Sequence, residues 1–463
     1  MKRRDALKTI GGLGAAAALA RVLPSCKSDN GGPVGITTYV YMMMENRSYD
    51  HYFGARTTGD GLPAGTVNLD STGTPVPSFI PTVDQMCDLD PPHGWDASHA
   101  QWNLGKNDGF VTQQQLDHAG DISPMQYMTD QQLPVSWALA DAYTVCDRWF
   151  ASVMGPTWPN RFYWHTGSSG GLMANSLPTT GNLCWPSVYN RLKDAGVDWA
   201  YYYGTIPVLS ALNDPGPYQL PDDYLQSRVK TFSNFMTDAL AGTLPPVVYI
   251  DPAFYGNDDH PPIHPINGQE LISAVYTALA MSPQWNNIMF VLTYDEHGGF
   301  YDHVSPPMTA DDYAATGFNQ MGFRVPAMVM GPYAKTGYVS SVQYDHTSAL
   351  KHLQNTFGLE GLSMRSDAAV DLTDCIDMDR LAAGQPNPPI DIPLIDLSEW
   401  PMSQACNYVS GSIAPDPARI DPITEWANQN PQLVAKWDLR PQYEQYRADI
   451  REFLANARKA RGG

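Results

Sequence analysis

The sequence predicts an α/β fold: a mostly parallel central sheet flanked by helices, closed by an irregular C-terminal wrap. Three observations predict it. Short β-branched and aromatic runs alternate with longer stretches of helical apolar spacing. Several of the runs stop abruptly at acidic or amide residues, as buried strands do where they emerge at the carboxyl edge of an open parallel sheet. At 463 residues, 43% of them hydrophobic, the chain is long enough to bury one large core.

The elements follow in order. Ile36 to Met44 is the first strand-like run and ends at Glu45-Asn46. Residues 134–154 carry helical spacing through Trp137, Leu139, Ala140, Tyr143 and Cys146. Ser187 to Ala195 reads as a helix stopped by Gly196, with a strand from Val197 to Tyr203. A helix over about Leu225 to Leu240 feeds a strand from Val247 to Ile250, which ends at Asp251. A helix over about Gly268 to Met281 feeds a strand from Asn287 to Tyr294, which ends at Asp295-Glu296. Val325 to Met330 is a further strand, and Thr347 to Phe357 a helix ended by Gly358. Residues 360–435 are rich in Pro and Asp and predict little regular structure. Pro441 to Arg461 predicts a polar helix with basic residues near its end, where the helix dipole favours them. There is no internal repeat.

The formal net charge of -20 argues against nucleic acid or an anionic lipid surface as the main partner. It does not exclude a phosphate-bearing substrate, because a bound cation reverses the local field. Arg3 and Arg4, followed by the small-residue apolar run from Thr9 to Ala20, form a twin-arginine export pattern too short to span a bilayer comfortably. Two processing outcomes compete: cleavage after Ala18-Leu19-Ala20, or lipidation of Cys26 in the lipobox-like Leu23-Pro24-Ser25-Cys26. The Gly-rich stretch that follows suits a tether and favours the lipoprotein, periplasmic or at the cell surface, with secretion as the alternative. The six cysteines contain no CxxC pair, and export permits disulfides. Cys375 and Cys406 flank a Pro-rich loop and could pair, and Cys146 is expected to be free within a helix.

Three segments concentrate chemistry. In ENRSYDHYFG (45–54), Glu45 and Asn46 offer a carboxylate and an amide oxygen to a hard cation; the plainer reading is an ordinary turn with Asn46 left-handed. In GPTWPNRFYWHTG (155–167), Thr157 stands at a new helix start. There it is either a nucleophile beside backbone N–H groups that favour a phosphate oxygen, or simply a cap. In YDEHGGFYDHVSPP (294–307), Asp295 and Glu296 end a strand, and Gly298-Gly299 permits a sharp turn that keeps them facing a cleft. Such density of acids favours a metal. Asp302-His303 orients a ligand or ties the loop down, and His297 faces either way. His93, His99, His260, His264 and His346 remain, each a proton donor or charge stabiliser in one reading and a hydrogen-bonded structural residue in the other.

The ordered set ENRSYDHYFG, HGW with WNLGKNDGF, GPTWPNRFYWHTG, DDHPP, YDEHGGFYDHVSPP, GFRVPAMVMGPYAKTGYVSS and YDHTSALKHLQNTFGL resembles the bacterial phosphoesterase family of phospholipase C (non-haemolytic type) and acid phosphatase, within the alkaline phosphatase superfamily. The resemblance runs from about residue 36 to 359. It implies an alkaline-phosphatase-like fold and an exported, metal-dependent phosphoester hydrolase. On that resemblance residues 1–34 are export signal and tether, 35–360 the catalytic domain, and 361–463 an extension packed on it. Larger members carry further C-terminal domains associated with lipid activity, for which the segment after 360 is too short.

By motif position, the resemblance implies a single divalent cation held by Glu45, Asn46, Thr157, Asp295 and Glu296, with Thr157 also the nucleophile. Its oxygen-rich set does not separate calcium, zinc, magnesium and manganese. His260 and His346 fall where two-metal relatives place ligands of their second metal, and with one metal they would contact the phosphate. His93 would be a further active-site imidazole. The substrate would be a soluble phosphomonoester or a phospholipid head group. Two alternatives stand beside this: a sulfatase or phosphonate-type hydrolase of the same superfamily, and a non-catalytic surface lipoprotein on the same scaffold. Against the first, a sulfatase normally needs a modifiable Cys or Ser where this chain has Thr157.

Overall fold

The computed structural model describes residues 35–82, 86–87, 90–177, 183–213, 215–397, 422–437 and 443–461. The export segment, Cys26 and Cys406 lie outside the described residues. No described helix is long and apolar enough to cross a membrane.

Eight strands build the central sheet: β1 (Thr38–Met44), β2 (Thr144–Cys146), β3 (Trp199–Tyr203), β4 (Val229–Thr231), β5 (Val247–Ile250), β6 (Ile288–Tyr294), β7 (Ala327–Met330) and β8 (Tyr338–Ser340). Their spatial order is β8-β2-β7-β6-β1-β5-β3-β4. β1 lies at the centre and pairs in parallel with β6 and β5, Met44 standing beside Tyr294 and Met42 beside Ile250. β3 and β4 continue in parallel. β7 alone runs antiparallel, between β6 and β2. Every residue of β1 is buried, which fits a strand covered on both faces.

Helices flank the sheet: α1 (Trp95–Trp102), α2 (Pro134–Ala142), α3 (Thr157–Thr166), α4 (Val188–Asp194), α5 (Phe232–Ala241), α6 (Ile266–Ala280), α7 (His346–Phe357) and α8 (Tyr443–Ala460). Strand side chains alternate between faces. Tyr39 packs against His352 and Phe357 of α7, and Tyr41 against Trp164 of α3, so one face of β1 meets α3 and α7. Val40 and Met42 therefore point to the other face. The helix α6 is buried along almost its whole length and packs on α2, α5 and α8. The C-terminal helix α8 thus joins the core, and Tyr446 accepts a 3.0 Å hydrogen bond from Asn257, bracing the loop after β5.

The α/β class and most predicted elements are present, with three differences. Residues 134–154 are not one helix: α2 stops at Ala142, and Thr144–Cys146 forms β2 between β7 and β8. Cys146 is a free buried thiol as expected, but on a strand. The predicted helix over 225–240 is divided, a short helix Asp222–Gln226 giving way to β4 and then α5. Cys375 does not pair with Cys406; it is a free thiol with its Sγ 3.7 Å from that of Cys146, while Cys87 is disulfide-bonded to a partner outside the described residues.

Candidate active site

Three adjacent strands, β6, β1 and β5, deliver a carboxylate each as they end: Asp295, Glu45 and Asp251. The side chains gather because the backbone there is tightly tied. The Glu45 amide donates to Asp258 O at 2.8 Å, and the Asp295 amide to Met44 O at 3.0 Å. Asn46 takes a left-handed φ of +59°, and its amide donates to Asp295 Oδ1 at 2.9 Å. Gly298 is required by this approach: with φ at +64°, a Cβ there would stand 2.1 Å from Asn46 O.

The hydroxyl comes from α3. Asn160 locks the entry to that helix, accepting from the Val153 amide at 2.9 Å and donating to the carbonyls of Val153, Gly155 and Pro156. Thr157 is the first helical residue and is 4% exposed. Its Oγ donates to Asn46 Oδ1 at 3.4 Å and to Glu45 Oε2 at 3.5 Å. Both are long for hydroxyl hydrogen bonds, whose usual range is about 2.5–3.0 Å.

One turn along α3, Arg161 is fully buried and grips the other Glu45 oxygen, its Nε and Nη2 each 2.8 Å from Oε1. It also reaches Asp251 at 3.4 Å and Met43 O at 3.2 Å, and Asp251 accepts from the Tyr201 hydroxyl. The sequence reading missed Arg161. The signal was a charge four residues after Thr157, hence on the same helix face, inside an otherwise aromatic stretch.

The histidines divide by which ring nitrogens are engaged. His346, at the start of α7, uses both: Nε2 is 2.6 Å from Asp295 O, and Nδ1 accepts from the Trp149 indole at 3.3 Å. Burial holds it down at about 4, so it is a neutral ring fixed against the back of Asp295. His260 and His93 each spend Nδ1 on a backbone carbonyl, of Pro261 at 2.6 Å and of Pro91 at 2.7 Å. Their rings stand 5.8 Å apart, and His93 Nε2 lies 3.3 Å from Asn46 Nδ2. Asn46 therefore links Thr157 on one side to His93 on the other. Asp90, another residue the sequence reading missed, lies 3.5 Å from His93. His297 is wedged between Glu296 and Gln101, His99 bonds its own helix at Trp95 O, and His264 accepts from the Ile266 amide.

Electrostatically the cleft is short of positive charge. Burial and the neighbouring Asp295 push Glu45 well up. Burial and Glu296 raise Asp295 to about 6, and burial raises Glu296 to about 7. Burial opposes charge on His93, but Glu296 and Asp90 outweigh it and hold the ring at about 9. Two buried carboxylate oxygens in the cleft, Asp295 Oδ2 and Glu296 Oε1, have no hydrogen-bond partner.

Those orphaned oxygens, with Glu45 Oε2, Asn46 Oδ1 and Thr157 Oγ, are all hard oxygen donors and fit a divalent cation. The fit is uneven. Glu296 turns its free oxygen toward His93, at 3.7 Å. Glu45, Asp295 and Glu296 are not among the described groups whose donor atoms all lie within 4.8 Å of one another; those are Asp90, His93 and His260, and Asp50, Asp302 and His303. In the second group the Arg324 guanidinium already sits between the carboxylates, 2.9 Å from each.

A family model described as the phosphoesterase family matches residues 36–360. Phospholipase C A of Mycobacterium tuberculosis is 30% identical over 432 residues, spanning 78% of this chain and 81% of that protein. The non-hemolytic phospholipase C of Burkholderia pseudomallei is 30% identical over 434 residues, spanning 77% of this chain and 61% of that protein. A solved protein in the alkaline phosphatase superfamily from Vibrio parahaemolyticus aligns over 75% of this chain and 71% of its own, at 11% identity and a TM-score of 0.37, a likeness too slight to carry an argument.

Proposed function

The chain belongs to the phosphoesterase family and is a phospholipase C-like phosphoester hydrolase, and from that premise we propose that it works through Thr157 as nucleophile in a cleft built to hold one divalent cation. The observation that carries this reading is the position of Thr157 Oγ. It stands at a helix start, 3.4 Å from Asn46 Oδ1 and 3.5 Å from Glu45 Oε2. A cap would instead use its oxygen on the amides of its own helix.

Glu45, Asn46, Thr157, Asp295 and Glu296 are the residues that would hold the cation. When bound, it would stabilise the Thr157 alkoxide and offset the charge of the substrate phosphate. The protein's own groups do the rest. Thr157 Oγ gives up its proton to solvent and attacks phosphorus in line with the departing alcohol oxygen, the P–O bond to that oxygen breaks, and the departing oxygen takes a proton from an imidazolium beside it. His93 and His260, whose Nε2 atoms are not spent on backbone carbonyls, are the rings proposed to supply that proton. His346, with both nitrogens engaged, positions Asp295. Water then cleaves the phosphate from Thr157 and restores the hydroxyl.

The substrate is proposed to be a phospholipid, the class for which the relatives are named, with soluble phosphoesters as weaker substrates. Export by the twin-arginine route, with Cys26 as a lipid tether, is part of the same proposal and rests on the N-terminal pattern. Cell fractionation of the chain with Arg3 and Arg4 replaced by Lys tests the export, which should fail in that variant.

The direct test is Thr157→Ala, which should lose about 10⁴-fold in turnover while its thermal unfolding is unchanged. Thr157→Ser should recover part of it. Near-normal turnover by the alanine variant sinks the assignment.

A further inference from the structure

Two of the segments that line the cleft meet again at the surface. Helix α1 starts two residues after His93 and ends at Trp102, and the loop leaving Glu296 runs on to Pro307. They touch where the Trp102 indole N–H donates to Ser305 Oγ at 3.1 Å, and a Cβ on Gly105 would lie 3.3 Å from that same oxygen. Leu104, two residues after Trp102 and 84% exposed, and Met308, three residues after Ser305 and 63% exposed, are two of the three most exposed large hydrophobic side chains among the described residues. Single exposed apolar residues need no explanation, but these two flank one contact.

The backbone spends strain on the arrangement. Leu104 has φ at +56°, a left-handed conformation that is unfavourable for a residue with a Cβ. The partner loop is held rigid, with Gln320 donating to the carbonyls of Pro306 and Pro307 at 2.9 and 3.1 Å and bridging to Met308. Lys106, also exposed, follows two residues after Leu104. The tip thus presents two apolar side chains on a fixed base, a half-buried Trp at its foot, and one cation. That is the make-up of an interfacial anchor: apolar groups for the acyl boundary, an indole for the head-group level, and an ammonium for lipid phosphate. The chain's net charge of -20 opposes an anionic surface and leaves a zwitterionic one. An eight-residue helix is about 12 Å long, so the tip stands roughly that far from His93.

We propose that Trp102, Leu104, Lys106 and Met308 dock the protein on a zwitterionic lipid bilayer, with the cleft beside the surface that holds its substrate. The proposal rests on the phosphoester-hydrolase reading of the cleft, and its test separates the two.

The full chain carrying Cys26→Ser, so that no acyl group at that position contributes, is sedimented with phosphatidylcholine vesicles in the presence of a chelator. Adding Leu104→Ser and Met308→Ser should lower vesicle partitioning about tenfold. Thermal unfolding, and hydrolysis of water-soluble p-nitrophenyl phosphorylcholine after cation is restored, should be unchanged. Replacing the lipid with phosphatidylglycerol at low ionic strength should weaken binding by the parent chain. Equal partitioning of parent and double variant, no partitioning by either, or stronger binding to phosphatidylglycerol overturns the proposal. A parent that binds vesicles through this tip but hydrolyses no soluble ester supports the docking surface and removes the reading of the cleft.

Discussion

Two acidic regions draw carboxylates from the same two sequence segments, 45–54 and 294–307, and they are built to opposite ends. Around Arg324, every carboxylate oxygen of Asp50 and Asp302 has a partner. Asp50 Oδ1 and Asp302 Oδ1 receive the guanidinium, Asp50 Oδ2 receives the His303 amide and ring, and Asp302 Oδ2 receives the Asp50 amide. In the cleft, Asp295 Oδ2 and Glu296 Oε1 receive no hydrogen bond, and the His93 ring stands 3.7 Å from the latter. Burial does not separate the two regions, since it raises Asp302 and Asp295 alike to about 6. Hydrogen-bond satisfaction does. A buried acid with its cation supplied by the chain is a structural tie, and one left short of positive charge is poised to take a ligand.

Substitutions should break this contrast in different ways. The largest effect belongs to the cleft. Asp295→Asn should lower turnover by about 10³-fold or more and abolish tight cation binding, read by calorimetric titration, without lowering the thermal stability of the metal-free protein. Next, Arg324→Met leaves two buried carboxylates unpaired and should cost about 3–5 kcal/mol in denaturant unfolding. The converse is smaller. Glu296→Gln removes a buried charge whose nearest cation is the His93 ring, 3.7 Å away, and should change the stability of the metal-free protein by no more than about 1 kcal/mol while weakening cation binding. If Asp295→Asn and Arg324→Met destabilise equally, the distinction between the regions fails.

The pH dependence follows with a definite sign. Glu296 is raised from its ordinary 4.5 to about 7 in the fold, so the folded state holds its proton more tightly than the unfolded chain. Its contribution is fully present below pH 4.5 and is lost as pH rises toward 7. The metal-free protein should therefore lose thermal stability over that interval, and saturating divalent cation should remove the slope. An identical slope with and without cation contradicts the role given to Glu296. The smallest effect lies at the rim of the Arg324 network. Asp60 is 36% exposed, and Asp60→Asn should cost less than about 1 kcal/mol.

Much of this was legible in the sequence where a local rule sufficed. β1 and β6 announced themselves as buried apolar runs, and their acidic endings marked the edge of the sheet that matters. Gly298 next to Asp295-Glu296 signalled a turn that only glycine can make. Elsewhere local pattern misled. Tyr143 and Cys146 continue the apolar spacing of α2, and nothing in the spacing tells a further helical turn from the three-residue strand β2, which exists because β7 and β8 pair on either side of it. The contact of Cys375 with Cys146 depends on how the segment after α7 folds back on that edge. Arg161 and Asp90 were hidden for the same reason: their partners, Glu45 and His93, are fixed by tertiary structure. His346 was visible as a residue, but whether its ring faced substrate or the back of Asp295 was a matter of orientation.

If the underpaired cleft turns Thr157 into a nucleophile, the phosphoryl group must rest on its oxygen during turnover, where acid can trap it. The protein is loaded with divalent cation, mixed with a ³²P-labelled soluble phosphomonoester, quenched in acid within the first turnover, and digested. The account predicts acid-stable label on the peptide containing Thr157, released as phosphothreonine and absent in Thr157→Ala. Label on a histidine, or steady turnover with no covalent label at any quench time, would contradict it.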